Sequence, residues 1–312
     1  MRHHTRLSLK QVEAFRAVVL AGSVSRAAER LFISQPAVSR LIADMEDRIG
    51  FTLFDRTRRF QLTTEGQLLF REVQQAFSGL EWISKRAEDI ATFRVGHLSV
   101  AASPALALGF LPPILRDFKL GHKDVSLASH VRNSPEVAQW VASGQIEVGF
   151  AALPVSQSGL QIRPLKPIPA ICMIPRNHRL SSETYLTPAM LASEPIISLG
   201  SDSMIRMQID EVFGQEGVSI LSSVEAMMSA QAALLAHEGL GIAIIDPFTA
   251  VAFQHPGLVL KPLKPLIPYQ YALLTADHTE PSRLAQVFIE TALKHGEAFQ
   301  HTVESIYEGV FS

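Results

Sequence analysis

Hydrophobic and polar positions change period along this chain, and each change announces a different element. Leu9, Val12, Phe15 and Val19 recur at helical spacing and stop at Ala21-Gly22, which predicts a first amphipathic helix. Ala27, Ala28 and Leu31 mark a short second helix, small enough for close packing, with Ser23 or Ser25 as its cap. In the third run, LFISQPAVSRLIADMEDRIG, the residues Val38, Leu41, Ile42, Met45 and Ile49 share one face. Ser34 is placed to cap it, and Pro36 suits the first turn, where a missing N–H costs nothing. Gln35, Ser39 and Arg40 start the other face. Two short helices joined by the tight Phe32-Ile33 turn predict a helix-turn-helix, whose second helix enters the DNA major groove.

The period then shortens. FTLFDRTRRFQLTTEG alternates apolar and polar residues and predicts a β-hairpin wing, with Arg56, Arg58 and Arg59 available to phosphates or the minor groove. From Gly66, the residues Leu69, Val73, Ala76, Leu80, Ile83, Ala87 and Ile90 are spaced 4, 3, 4, 3, 4, 3. This heptad seam, sustained for about three heptads, favours self-association over a helix lying on its own domain. Gly79 permits a bend there.

Beyond Arg94, apolar strands alternate with helices. Strands are expected at residues 97–102, 125–130, 146–151, 170–174, 195–199, 218–224, 240–245, 258–263 and 269–276, and a last helix at about 282–299. The order reads as α/β with mostly parallel strands.

Charge sharpens the division. Residues 1–66 hold 11 Lys+Arg against 7 Asp+Glu, and the remainder holds 17 against 23, so a head of +4 sits on a body of −6. A basic module suggests a polyanion partner. One cysteine, Cys172, excludes an internal disulfide or a Cys-rich metal site. The opening MRHHTRLSLK has no apolar core, so no secretory signal is expected. The uncharged stretch 98–115 contains Pro104, Pro112, Pro113 and Gly109, and reads as a strand followed by a buried helix rather than a membrane span. These features predict a cytoplasmic protein without a membrane partner. No Gly-rich phosphate loop, HExxH or GxSxG pattern occurs, so neither catalysis, a metal nor a cofactor is expected.

The run from LKQVEAFRAVVLAGSVSRAAERLFISQPAVSRLIADMEDRIGFTLFDR to LTTEG resembles the winged helix-turn-helix of LysR-type transcriptional regulators. The resemblance implies that Ser34, Gln35 and Pro36 start the recognition helix, with Gln35, Ser39 and Arg40 facing DNA. Gln suits adenine and Arg suits guanine, or either holds phosphate. The heptad helix matches the family's linker, which pairs two subunits. The α/β part resembles an effector domain built like a periplasmic binding protein. The implied division is a winged helix-turn-helix at 1–66, a coiled-coil linker at 67–93 and an effector domain at 94–312. Its lobe I would comprise 95–168 and 269–312, and its lobe II 169–268.

Ligands of open α/β sheets bind at the carboxyl ends of strands. Small hydroxyl and amide residues stand at three such turns: Ser103-Pro104, Asn133-Ser134-Pro135 and Ser201-Asp202-Ser203. Capping explains each alone; together they suggest one cleft, walled further by Met227-Met228. Asp202 there is suited to an ammonium or guanidinium group. The stretches SPALALGFLPPIL and GLGIAIIDPFTA resemble the branch that senses lysine or opines, although Met227-Met228 are apolar where a charged amino acid would want polar groups. The reading is a DNA-binding transcriptional regulator answering to an amino acid or a derivative, acting as a dimer or dimer of dimers. The alternative is a solute-binding protein.

Overall fold

The computed structural model describes residues 7–55, 61–91, 96–201 and 203–308. The chain forms two compact units, residues 1–92 and 93–312.

The first unit opens with helix α1 (Leu9–Ala21), capped by the Ser8 hydroxyl in a reciprocal box with Gln11 and closed by Gly22 at φ +63°. Helix α2 (Val24–Leu31) follows, then α3 (Gln35–Ile49). Between them Phe32 takes φ +55°, unusual without glycine, and its N–H turns back to Ala28 and Glu29. That single left-handed residue makes the turn tight. Ser34 is the N-cap of α3, but its side chain makes no capping bond. Strands β1 (Phe54–Asp55) and β2 (Gln61–Leu62) pair antiparallel as the wing. Helix α4 (Thr64–Ala91) is 28 residues long. The LTTEG motif explains its start. Thr63 Oγ1 accepts from the Gly66 N–H at 2.9 Å, and a Cβ on Gly66 would land on the Leu53 carbonyl.

The heptad seam is not uniformly exposed. Val73 is buried in the head core with Phe15, Val38 and Met45, and Leu69 packs against that core. Leu80 and Ile83 are 40% and 58% exposed. Uniform spacing predicted one association surface, yet the first turns of α4 cover their own domain. The side chains of Ala87 and Ile90 lie outside the described residues.

The second unit contains two five-stranded sheets. Its elements begin with β3 (His97–Ala102), a π-helical turn (Leu106–Phe110), α5 (Leu111–Gly121), β4 (Ser126–Val131), α6 (Ser134–Ala142), β5 (Val148–Ala152) and β6 (Leu160–Pro164). Next come β7 (Ile168–Pro169), β8 (Ile171–Pro175), α7 (Pro188–Leu191), β9 (Ile196–Leu199), α8 (Met204–Gln215) and β10 (Ser222–Ala226). The series ends with α9 (Ser229–His237), β11 (Ile242–Ile245), α10 (Pro247–Ala252), β12 (Leu258–Pro262), β13 (Pro268–Tyr269), β14 (Tyr271–Ala276) and α11 (Arg283–Ile306). Lobe I has strand order β4-β3-β5-β14-β6, and lobe II has β10-β9-β11-β8-β12. The chain crosses between lobes at β7 and β13, which pair antiparallel with Tyr269 opposite Ile168.

The sheets are mostly parallel in strand direction, each with one reversed strand that the sequence pattern did not single out. In each lobe four of the five strands point the same way, and one, β14 in lobe I and β8 in lobe II, runs antiparallel to both its neighbours. Apolar strand runs look alike in either direction, so the pattern carried no sense of orientation. The strand expected at 218–224 lies at Ser222–Ala226, and the last helix continues to Ile306. Two further strands, β6 and β7, escaped the apolar pattern: β6 is an exposed edge with Arg163 in it, and β7 has only two residues.

Candidate DNA-binding and effector sites

Helix α3 has two dissimilar faces. Val38, Ile42 and Met45 are buried against the head core, while Gln35, Pro36, Ser39 and Arg40 are all exposed. Gln35 Nε2 donates to Ser39 Oγ at 3.3 Å, so these two polar groups form one surface on successive turns. Glu46, further along α3, accepts from the Leu53 N–H at 2.6 Å and ties the start of the wing to this helix. Arg56, Arg58 and Arg59 lie outside the described residues.

The parallel strands decide which of the sequence-predicted effector residues share an edge. In lobe I, β3 and β4 run side by side, so their carboxyl ends bring Ser103 and Asn133-Ser134 to one edge. In lobe II, β9, β10 and β11 are parallel, and their ends bring Ser201, Ser203, Met227-Met228 and Asp246 to one edge. Ser203 caps α8 without a side-chain bond. Asn133 and Ser134 are committed locally. Asn133 Oδ1 accepts from the Glu136 N–H at 2.9 Å, and Ser134 Oγ accepts from the Ala152 N–H at 3.1 Å. Asp202 lies outside the described residues.

The lobes meet closely behind these edges. A Cβ on Gly109 would land on the Phe248 carbonyl and 2.9 Å from the Phe248 Cβ, so the π-helical turn of lobe I rests directly on α10 of lobe II. Phe110, Phe248, Tyr271 and Phe299 form an aromatic cluster there, with Phe110–Phe248 and Phe248–Phe299 centroids 5.2 and 4.5 Å apart. Burial pushes the Tyr271 hydroxyl up to about 12.

Beside the aromatic cluster lies a polar one of which sequence reading named only Ser103: Ser103, Asp246, Thr249 and Tyr269 of the crossover pair, with Ser229 at the start of α9. Asp246 Oδ1 accepts from the Thr249 N–H at 2.8 Å, capping α10. The Ser229 and Thr249 hydroxyls lie beside the carboxyl and favour its charged form, and Ser103 lies likewise beside Tyr269. Burial raises the Asp246 carboxyl above the ordinary carboxylate value and raises the Tyr269 phenol too. An aspartate ending the apolar run GIAII was the available signal. Asp-Pro reads as a helix start, and that cap hid its second oxygen.

Among the described residues, no helix is long and apolar enough to cross a membrane, and no three His, Cys, Asp or Glu side chains are grouped to hold a metal. Cys172 is fully buried, and burial raises its thiol above the ordinary value.

A helix-turn-helix head with an exposed polar face on its second helix, and a body of two α/β lobes, define the class of ligand-responsive DNA-binding regulators. Residues 9–67 match the bacterial regulatory helix-turn-helix protein, lysR family, and residues 92–297 match the LysR substrate binding domain. The chain belongs to the LysR family of transcriptional regulators. It is 34% identical to regulatory protein NocR of Agrobacterium fabrum over 89% of this chain and 93% of that one. It is 33% identical to transcriptional activator protein LysR of Escherichia coli, over 90% and 91%. With the octopine catabolism/uptake operon regulatory protein OccR of Rhizobium meliloti it shares 36% identity, over 90% and 94%. Its fold matches that of the LysR family regulator CbnR with a TM-score of 0.69 at 20% identity, over 93% of this chain and 99% of that one. CbnR bound to its target DNA gives 0.67 over 92% and 99%, also at 20% identity.

Proposed function

We propose that this regulator reads its operator through Gln35, Ser39 and Arg40, with Ser34 and Pro36 setting the entry of α3 and Arg56, Arg58 and Arg59 of the wing holding phosphate. The observation that carries this is the division of α3: one face is consumed by the core, and the other presents a donor-rich polar surface to solvent. Arg40→Ala should cost roughly 1–3 kcal/mol of discrimination between operator and random DNA. Arg58→Ala should weaken both DNAs alike and flatten the salt dependence. Binding measured on both DNAs across a salt series separates the two roles, and unchanged operator preference in Arg40→Ala would remove that residue from base reading.

The effector in this reading is an amino acid or a derivative of one, held at the edges where Ser103, Ser201, Ser203, Met227 and Met228 gather, with Asp202 between the two serines in sequence as the group for an ammonium or guanidinium. Asn133 and Ser134 shape the lobe I wall, since their oxygens already serve the backbone. Similarity to the octopine-operon regulator supports this class. The chain acts in the cytoplasm and carries out no catalysis. A solute-binding role leaves the basic head without a purpose.

A further inference from the structure

The meeting of the two lobes holds more acceptor oxygen than the fold uses. Asp246 is 1% exposed, and only one of its carboxyl oxygens is bonded. Asp246 Oδ2, Thr249 Oγ1 and Ser103 Oγ are buried without a hydrogen-bond partner. Among the described residues no cation acts on the Asp246 carboxyl; Thr249, Ser229 and its own backbone amide do. The three oxygens come from both lobes, Ser103 from the end of β3 and Asp246 and Thr249 from the end of β11, joined by Tyr269 in the crossover pair. From this cluster the chain leads through half-buried Ser229 to Met228 and Met227, which are 46% and 69% exposed.

An unpaired buried acceptor is costly, and an uncompensated buried carboxylate more so. Capping α10 requires one acceptor oxygen; asparagine supplies that without a charge. The carboxylate therefore needs a reason beyond the cap, and a cationic ligand provides one. We propose that Asp246 receives a cationic nitrogen of the effector, an ammonium or guanidinium group. Thr249 and Ser103 serve as neutral acceptors around it, and the methionines contact the apolar part of the ligand nearer the surface. The inference rests on the effector reading above and adds which end of the ligand is buried. Charge-assisted bonds to a desolvated carboxylate are the strongest a small ligand makes, so the cationic tip would dominate selectivity.

Calorimetric titration of the full chain with arginine, citrulline and agmatine tests this. Citrulline keeps the shape of arginine without its charge, and agmatine keeps the guanidinium without the carboxylate. Arginine should bind at least about tenfold tighter than citrulline. Asp246→Asn, which retains the cap, should bring the two within about twofold, and Thr249→Val should weaken arginine while leaving its preference. Equal binding of arginine and citrulline by the parent would overturn the cationic receptor and leave the amino-acid reading standing. Binding of agmatine alone, lost in Asp246→Asn, would support the receptor and overturn the amino-acid reading. Failure of all three probes to bind would overturn both. If Asp246→Asn does not fold, Ser103→Ala with Thr249→Val takes its place: arginine should weaken at least about tenfold, and unchanged affinity would reject the site.

Discussion

Asp246 shows how one buried group couples ligand chemistry to stability. Its carboxyl titrates above its ordinary 3.8 because burial penalises the charged form. Below that ordinary value both folded and unfolded chains hold the proton, and the group is neutral to stability. As pH rises past it, the unfolded chain ionises freely while the folded chain resists, so stability falls until the folded carboxyl itself ionises. Asp246→Asn should therefore melt above the parent at neutral pH, with the gap closing as pH falls toward 4. Melting curves across pH check this, and a gap independent of pH would show that Asp246 is not the source. The same residue marks a limit of sequence reading. Its place after GIAII and before proline was visible, but its burial and the hydroxyls of Ser229 and Thr249 beside it depend on how three separate elements pack.

At the scale of elements, two contacts decide function more than any strand does. The π-helical turn meets α10 at Gly109 with no room for a methyl group. Gly109→Ala would force backbone apart where the lobes join, costing about 1–3 kcal/mol through overpacking. The variant should melt several degrees lower, and an unchanged melting point would show that the turn yields. In α4 the exposed half of the seam is the part available to a partner. Replacing Leu80 and Ile83 by Asp should reduce the assembly to a smaller species in sedimentation and weaken binding to a two-half-site operator, because charge there would be buried on pairing. An intact assembly would place the pairing surface elsewhere. Periodicity revealed that seam but not its division, since helical spacing records an apolar face and not which partner covers it.

For the whole molecule, regulation requires that an effector favour one arrangement of the regulator over another. An effector held by the body touches none of the head's DNA-reading residues, so its expected effect is on arrangement. The best-binding probe should therefore alter the operator footprint while changing total DNA affinity less than about tenfold. Nuclease footprinting beside an affinity titration checks this. An affinity change without any footprint change would mean that the effector acts on the strength of binding instead.

Local chemistry was sufficient for the head. Ala27-Ala28, the Phe32 turn, Gln35-Pro36 and the LTTEG glycine act within a few residues of one another, so their spacing alone specified a winged helix-turn-helix and its polar face. The alternation of strands and helices likewise announced an α/β body. Tertiary structure alone decided the direction of β8 and β14, the first turns of α4 on the head core, and the placing of Ser103 and Asp246, from different lobes, beside Tyr269. The physical reason is the same in each case. Hydrophobic pattern records which side of an element leaves water, whereas strand direction, the partner covering a face, and the pairing state of a buried oxygen depend on chain that arrives from far along the sequence.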